Sequence, residues 1–302
     1  MSKTAKSFYS RVLKFTSAYS IELLLGGIFF LLLFRAPFST RTLIPNFEPY
    51  PDSFHYLIPA MHLIEGEGMT MNRVGKILPG VPPLYSLCIA PFLLIVNDPR
   101  MAYFTNLFLS MLSFTFFALS IKKLFPSKLI RFLTLLLFVT HPVLTWYVEL
   151  VMAEHVTLML TTLGLWLVLR SGRKLLHLSQ GLLAPLLYAS KYAAAPVSFA
   201  FTLIFFIKSL RETRRTRSFT PVLFFCIGLL VSASIYLTIN YSIRQTSELH
   251  TVLNVLTSKL SPPPTVSTES GEPQPPTDPF FGPRYIKHNM TAYGNYLQSY
   301  YV

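Results

Sequence analysis

Apolar positions along the chain gather into long runs near 19–34, 101–120, 129–143, 150–169, 175–190, 193–209 and 219–240, separated by short polar stretches. Runs of this kind read as membrane-crossing helices, which need about 20 predominantly apolar residues each. The pattern predicts an all-α, polytopic transmembrane protein with about seven spans.

The connection over 39–100 breaks this rhythm. Within it lies PDSFHYLIPAMHLIEGEG, residues 51–68, where Phe54, Leu57, Ile58, Met61 and Ile64 recur at helical spacing. A helix starting near Ser53 would carry them as one continuous apolar face and lie along a membrane surface. Its head holds Asp52, with Glu48 just before it and His55 and Tyr56 just after. A second apolar piece, GVPPLYSLCIAPFLLIV at 80–96, is short for a crossing. If it crossed, Lys122, Lys123, Lys128 and Arg131 would all lie outside, so it reads as a re-entrant or surface-lying helix.

Composition agrees with a membrane protein: 302 residues, 52% hydrophobic and 13% charged, with a mean hydropathy of +0.47. The formal charge of +13 would suggest nucleic acid if it were concentrated on a soluble face. Here the cations sit between apolar runs, so topology accounts for them and no nucleic acid is expected. Lys3, Lys6, Arg11 and Lys14 precede the first run and place the N-terminus in the cytoplasm. The first run ends in FRAPF without a small-residue cleavage pattern and reads as an uncleaved helix. On the same reading Lys122 to Arg131, Arg170 to Lys174 and KSLRETRRTR (208–217) fall in cytoplasmic loops. Cys88 and Cys226 lie inside apolar runs and read as small buried hydrophobes.

Residues 1–240 thus form the transmembrane domain, with 39–100 as its first extracytoplasmic loop. Residues 241–302 form an extracytoplasmic tail containing SPPPTVSTESGEPQPPTDP, a composition that cannot bury a core. Tyr293, Tyr296 and Tyr300 fit an interfacial aromatic face or a frayed end. The sequons at Asn240 and Asn289 matter only in a eukaryotic secretory pathway.

The order of features, PDSFHYL then GEG, PPLYSL, a span ending KKLF, a span running into HPVLTWYVELVMAEH, and SKYAAAP, resembles the GT-C type glycosyltransferases that use lipid-linked sugars. It is most similar to the family 39, dolichyl-phosphate-mannose-protein mannosyltransferase-like enzymes, which include bacterial aminoarabinose transferases. The resemblance covers about 15–240. It implies a polyprenyl-phosphate sugar donor, an acceptor that is lipid, glycan or protein, and a bacterial plasma membrane location. It implies further that Asp52 is the required acid of the first outer loop and that Glu154 of VMAEH is a second. Lys191 stands where the family often has an Arg followed by Pro.

The chemistry asks for such residues. A carboxylate must take the acceptor's hydroxyl proton, and cations must meet the departing phosphate. Asp52 and Glu154 are the candidate catalytic residues, with Lys191, Glu48, His55, Tyr56 and His155 as candidate substrate-binding residues. No cofactor is expected, because the donor is itself a lipid and the chain carries no Gly-rich phosphate loop. His141, Glu154 and His155 do not have metal-site spacing, so no metal is expected. Each residue also has a structural reading: Asp52 with Ser53 fits a helix cap, Glu154 fits a pairing with Lys191, and Glu48 fits a solvated loop charge. Family members continue into further spans beyond the point where this chain stops. A fragment, a silent relative, or a partner supplying the missing spans is the corresponding alternative to an active enzyme. A transporter would lead one to expect repeated halves, which the sequence lacks.

Overall fold

A computed structural model of the chain describes residues 16–35, 52–71, 81–148, 150–170 and 174–244. Among the described residues all regular structure is helical, with no strand. In chain order the helices are α1 (Ser20–Arg35), α2 (Asp52–Ile64), α3 (Leu84–Ile95), α4 (Met101–Leu124), α5 (Lys128–Val139) and α6 (Pro142–Tyr147). They continue with α7 (Glu154–Val168), α8 (Lys174–Ser190), a short 3-10 turn (Tyr192–Ala194), α9 (Ala195–Thr216) and α10 (Thr220–Arg244). The tail beyond Arg244 and the whole stretch between α1 and α2 lie outside the described residues.

Three stretches are long and apolar enough to cross a membrane: Met101–Leu124, Tyr192–Thr216 and Thr220–Ile239. They make the chain a helical membrane protein. The other four expected spans become shorter helices. α1 has 16 residues, α5 has 12, α7 has 15 and α8 has 17. At 1.5 Å per residue these reach about 18–26 Å, short of a hydrocarbon core of about 30 Å. The breaks have local causes. α5 stops at Thr140 and His141 before Pro142, which begins α6, and α8 stops where Lys191 turns to an extended conformation (φ −160°, ψ 130°). The apolar piece at 80–96 yields the 12-residue α3, about 18 Å long and too short to cross by itself.

The sequence boundary near 209 also moves. α9 runs on through the basic segment to Thr216, because Lys, Arg and Glu are good helix formers, and Arg217 closes it in the left-handed region (φ 51°). Lys208 is therefore not a loose loop cation. Its ammonium caps the C-terminal end of α7, donating to the carbonyls of Leu167 (3.1 Å), Val168 (2.6 Å) and Arg170.

Two apolar clusters hold the helices together. The larger joins α2, α3, α4 and α7 to α10 through residues including Tyr56, Ala60, Tyr85, Val151, Val156, Leu187 and Phe225. The smaller gathers α1, α4 and α5 around Phe29, Phe114, Leu135 and Val139. α8 and α10 approach most closely, and the cause is a reciprocal glycine contact. A Cβ on Gly181 would lie 2.1 Å from the Phe225 carbonyl oxygen, and one on Gly228 would lie 2.2 Å from that of Leu178. Small residues at such a seam let two backbones meet, as in membrane helix pairs. Outward-facing side chains such as Leu31, Phe199 and Leu230 remain 64–72% exposed, as lipid-facing positions would be.

Candidate functional site at the start of helix α7

The sequence reading sets Glu154 several residues inside a span. The structure starts α7 at Glu154 itself, so the carboxylate occupies the first turn, where the helix dipole favours a negative charge. Its Oε1 meets the Lys191 Nζ at 2.5 Å. Lys191 sits at the sharp junction between α8 and α9, and Pro196 stands in the first turn of α9, where its missing N–H is not needed. The hydroxyl oxygens of Thr157 and Ser190 lie 2.9 Å apart and tie the same two helix ends together one turn deeper. Both charged side chains stay accessible, at 31% for Glu154 and 37% for Lys191.

What sets Glu154 in place is the irregular segment before it, held from the side by α4. The Asn106 amide donates to the carbonyls of Val148 (3.1 Å) and Leu150 (2.8 Å). The Tyr85 hydroxyl of α3 in turn donates to the Asn106 Oδ1. One turn further along α4, the Ser110 hydroxyl lies 3.0 Å from the His155 Nδ1, while Nε2 lies 2.8 Å from the Tyr147 carbonyl. A carbonyl can only accept, so Nε2 carries the proton and Nδ1 accepts from Ser110. Asn106 and Tyr85 are fully buried, and His155 is 3% exposed.

The candidate residues thus separate by role. Glu154 and Lys191 form one accessible pair. His155, expected to bind substrate, is buried with both ring nitrogens engaged in holding the 147–155 segment. Tyr56 is buried at 5% and packs its ring edge-on against Tyr85, with centroids 5.1 Å apart. Through Tyr85 and Asn106 it belongs to the same scaffold as Glu154. His55 is half-buried in α2, and no hydrogen bond or ion pair among the described residues joins it to Glu154 or Lys191. Asp52 is the first residue of α2, so that helix forms where the apolar spacing places it. Glu48 and the Asp52 side chain lie outside the described residues. His141 is exposed and precedes α6, and no hydrogen bond or ion pair among the described residues joins its side chain to Glu154 or Lys191.

Sequence reasoning passed over Asn106 and Ser110. Their signal is spacing: two small polar residues four apart in an otherwise apolar helix share one face and mark it as buried against protein. It also passed over Glu22, which pairs with Arg131 at 3.2 Å inside the bundle, with 8% and 11% of their side chains exposed. Arg131, expected among the loop cations, is instead part of the packed face of α5.

No protein family, curated protein or solved structure matches this chain.

Proposed function

We propose that this chain is a GT-C type glycosyltransferase of the family 39 kind, with about seven membrane-embedded helical segments. It moves a monosaccharide from a polyprenyl-phosphate carrier to a lipid, glycan or protein acceptor on the outer face of a bacterial plasma membrane. The N-terminus lies in the cytoplasm. The observation that carries this reading is the accessible Glu154–Lys191 pair at a helix junction, where the motif order leads one to expect an acid and a cation.

Asp52 takes the proton of the acceptor hydroxyl, the freed oxygen bonds to the anomeric carbon, and the bond from that carbon to the phosphate oxygen breaks. The polyprenyl phosphate leaves with the electron pair, and the anomeric configuration inverts. Lys191 has three N–H donors and spends one on Glu154, so the others are available to phosphate oxygens. Glu154 orients Lys191 and, through it, the donor.

A second reading rests on the same contact. Glu154 and Lys191 neutralise each other, and that is also how a brace in a catalytically silent relative would look. The experiment that tests the first reading is transfer of radiolabelled sugar from polyprenyl-phosphate donors in membranes expressing the full chain. Asp52→Asn and Lys191→Met are run beside it at matched expression. Transfer that both variants abolish supports the enzyme. A stably inserted chain that transfers nothing from any donor supports the silent brace.

A further inference from the structure

The last turn of α2 and the loop after it form a compact cluster unrelated to the Glu154 pair. One ring nitrogen of His62 and one carboxylate oxygen from each of Glu65 and Glu67 lie within 4.8 Å of one another. The backbone explains why residues in the sequence H-L-I-E-G-E meet. Gly66 (φ +82°) closes α2 with paired bonds, from the Glu67 N–H to the His62 carbonyl (2.9 Å) and from the Gly66 N–H to the Leu63 carbonyl (3.2 Å). This is a Schellman cap, and it folds Glu67 back over the turn that carries His62 and Glu65. Gly68 (φ +78°) then reverses the chain again and delivers Thr70 against His62.

That second contact gives the cluster its chemistry. The His62 Nδ1 lies 2.8 Å from the Thr70 carbonyl and 3.0 Å from the Thr70 hydroxyl. Because the carbonyl can only accept, Nδ1 is the protonated nitrogen, and in the neutral ring Nε2 keeps its lone pair. Nε2 has no hydrogen-bond partner among the described residues, although His62 is only 5% exposed. A histidine whose one nitrogen is locked to a backbone carbonyl, leaving the other for a ligand, is the arrangement that metal-binding histidines use.

We infer that His62, Glu65 and Glu67 bind a divalent transition-metal ion, of which zinc is the type. Imidazole with carboxylates suits zinc, whereas magnesium and calcium favour all-oxygen sites. Ligand atoms around zinc lie about 3.4 Å apart, so the three side chains, within 4.8 Å of one another, would draw closer on the ion, and Glu65 and Glu67 would exchange their present contacts for it. Three protein ligands leave one position for water or an anionic oxygen. The site does not depend on the glycosyltransferase reading. The sequence leads one to expect no metal, on the spacing of His141, Glu154 and His155; the His62 cluster lies elsewhere in the chain.

The test uses the full chain purified into nanodiscs, stripped with chelator and titrated with zinc against a chromophoric competitor, with bound metal counted by elemental analysis. One zinc per chain is expected. The paired Glu65→Gln, Glu67→Gln variant changes only exposed side chains and is expected to weaken zinc at least about 100-fold with unaltered helicity. His62→Ala is expected to do the same. Substoichiometric zinc on the folded wild-type chain, or zinc held as tightly by the paired variant, would overturn the site.

Discussion

The side-chain amide of Asn106 donates to the Leu150 carbonyl at 2.8 Å, joining α4 to the irregular segment that runs into Glu154. With the Val148 bond and the Tyr85 hydroxyl on its other side, one buried residue closes three polar groups. Replacing it with leucine, which matches its size, leaves two carbonyls and one hydroxyl in the core without partners. Each orphaned group costs about 1–3 kcal/mol, and the losses are not additive. Asn106→Leu is expected to lower stability by about 3 kcal/mol in a detergent-denaturation series and, on the glycosyltransferase reading proposed above, to reduce sugar transfer beyond what the loss of folded protein explains. A variant of unchanged stability would show that α4 does not hold this segment.

The Glu154–Lys191 pair is short but about one-third exposed on both sides, so solvent screening limits its worth to about 1 kcal/mol or less. Lys191→Met is therefore expected to leave the melting temperature nearly unchanged and, on the glycosyltransferase reading proposed above, to abolish transfer. Lys191→Arg keeps the cation and is expected to retain a substantial part of the activity. If the two variants transfer sugar equally, Lys191 does not meet the phosphate.

Glu22 and Arg131 behave differently because both are buried. Removing one partner leaves an uncompensated charge, a change worth about 3–5 kcal/mol. Glu22→Gln or Arg131→Leu alone is expected to destabilise by that order. The double variant Glu22→Gln, Arg131→Leu is expected to recover most of the loss. A double-mutant cycle in the same denaturant series checks it, and additive losses would show that the two charges do not interact.

At the α8 and α10 seam, alanine at Gly228 would place a methyl 2.2 Å from the Leu178 carbonyl oxygen, and only separation of the two helices relieves that contact. The cost is expected at about 3 kcal/mol or more. Gly27 in α1 has nothing within 4 Å of its virtual Cβ, so Gly27→Ala is the matched control. It is expected to be neutral or stabilising by up to about 1 kcal/mol through helix propensity. Equal effects at the two positions would mean that the seam is loose.

Periodicity and composition determined the helical class, the membrane setting, the amphipathic α2 and the approximate centres of α4, α9 and α10, because these depend on the solvent each face must meet. The resemblance of motif order to a known family brought attention to Glu154 and Lys191. Only the tertiary structure decided that they touch, since the contact depends on where α7 starts and α8 stops. Those limits are set by bonds from Asn106 and Ser110 across the bundle, and by the extended turn at Lys191, which no local pattern encodes. The same holds for Arg131, a loop cation by topology counting and a buried partner of Glu22 once α1 and α5 pack. His62, Glu65 and Glu67 are neighbours in sequence, but their convergence depends on two left-handed glycines that fold the end of α2 onto itself. Burial requirements can be read along a chain; which polar groups satisfy one another is settled only when helices meet.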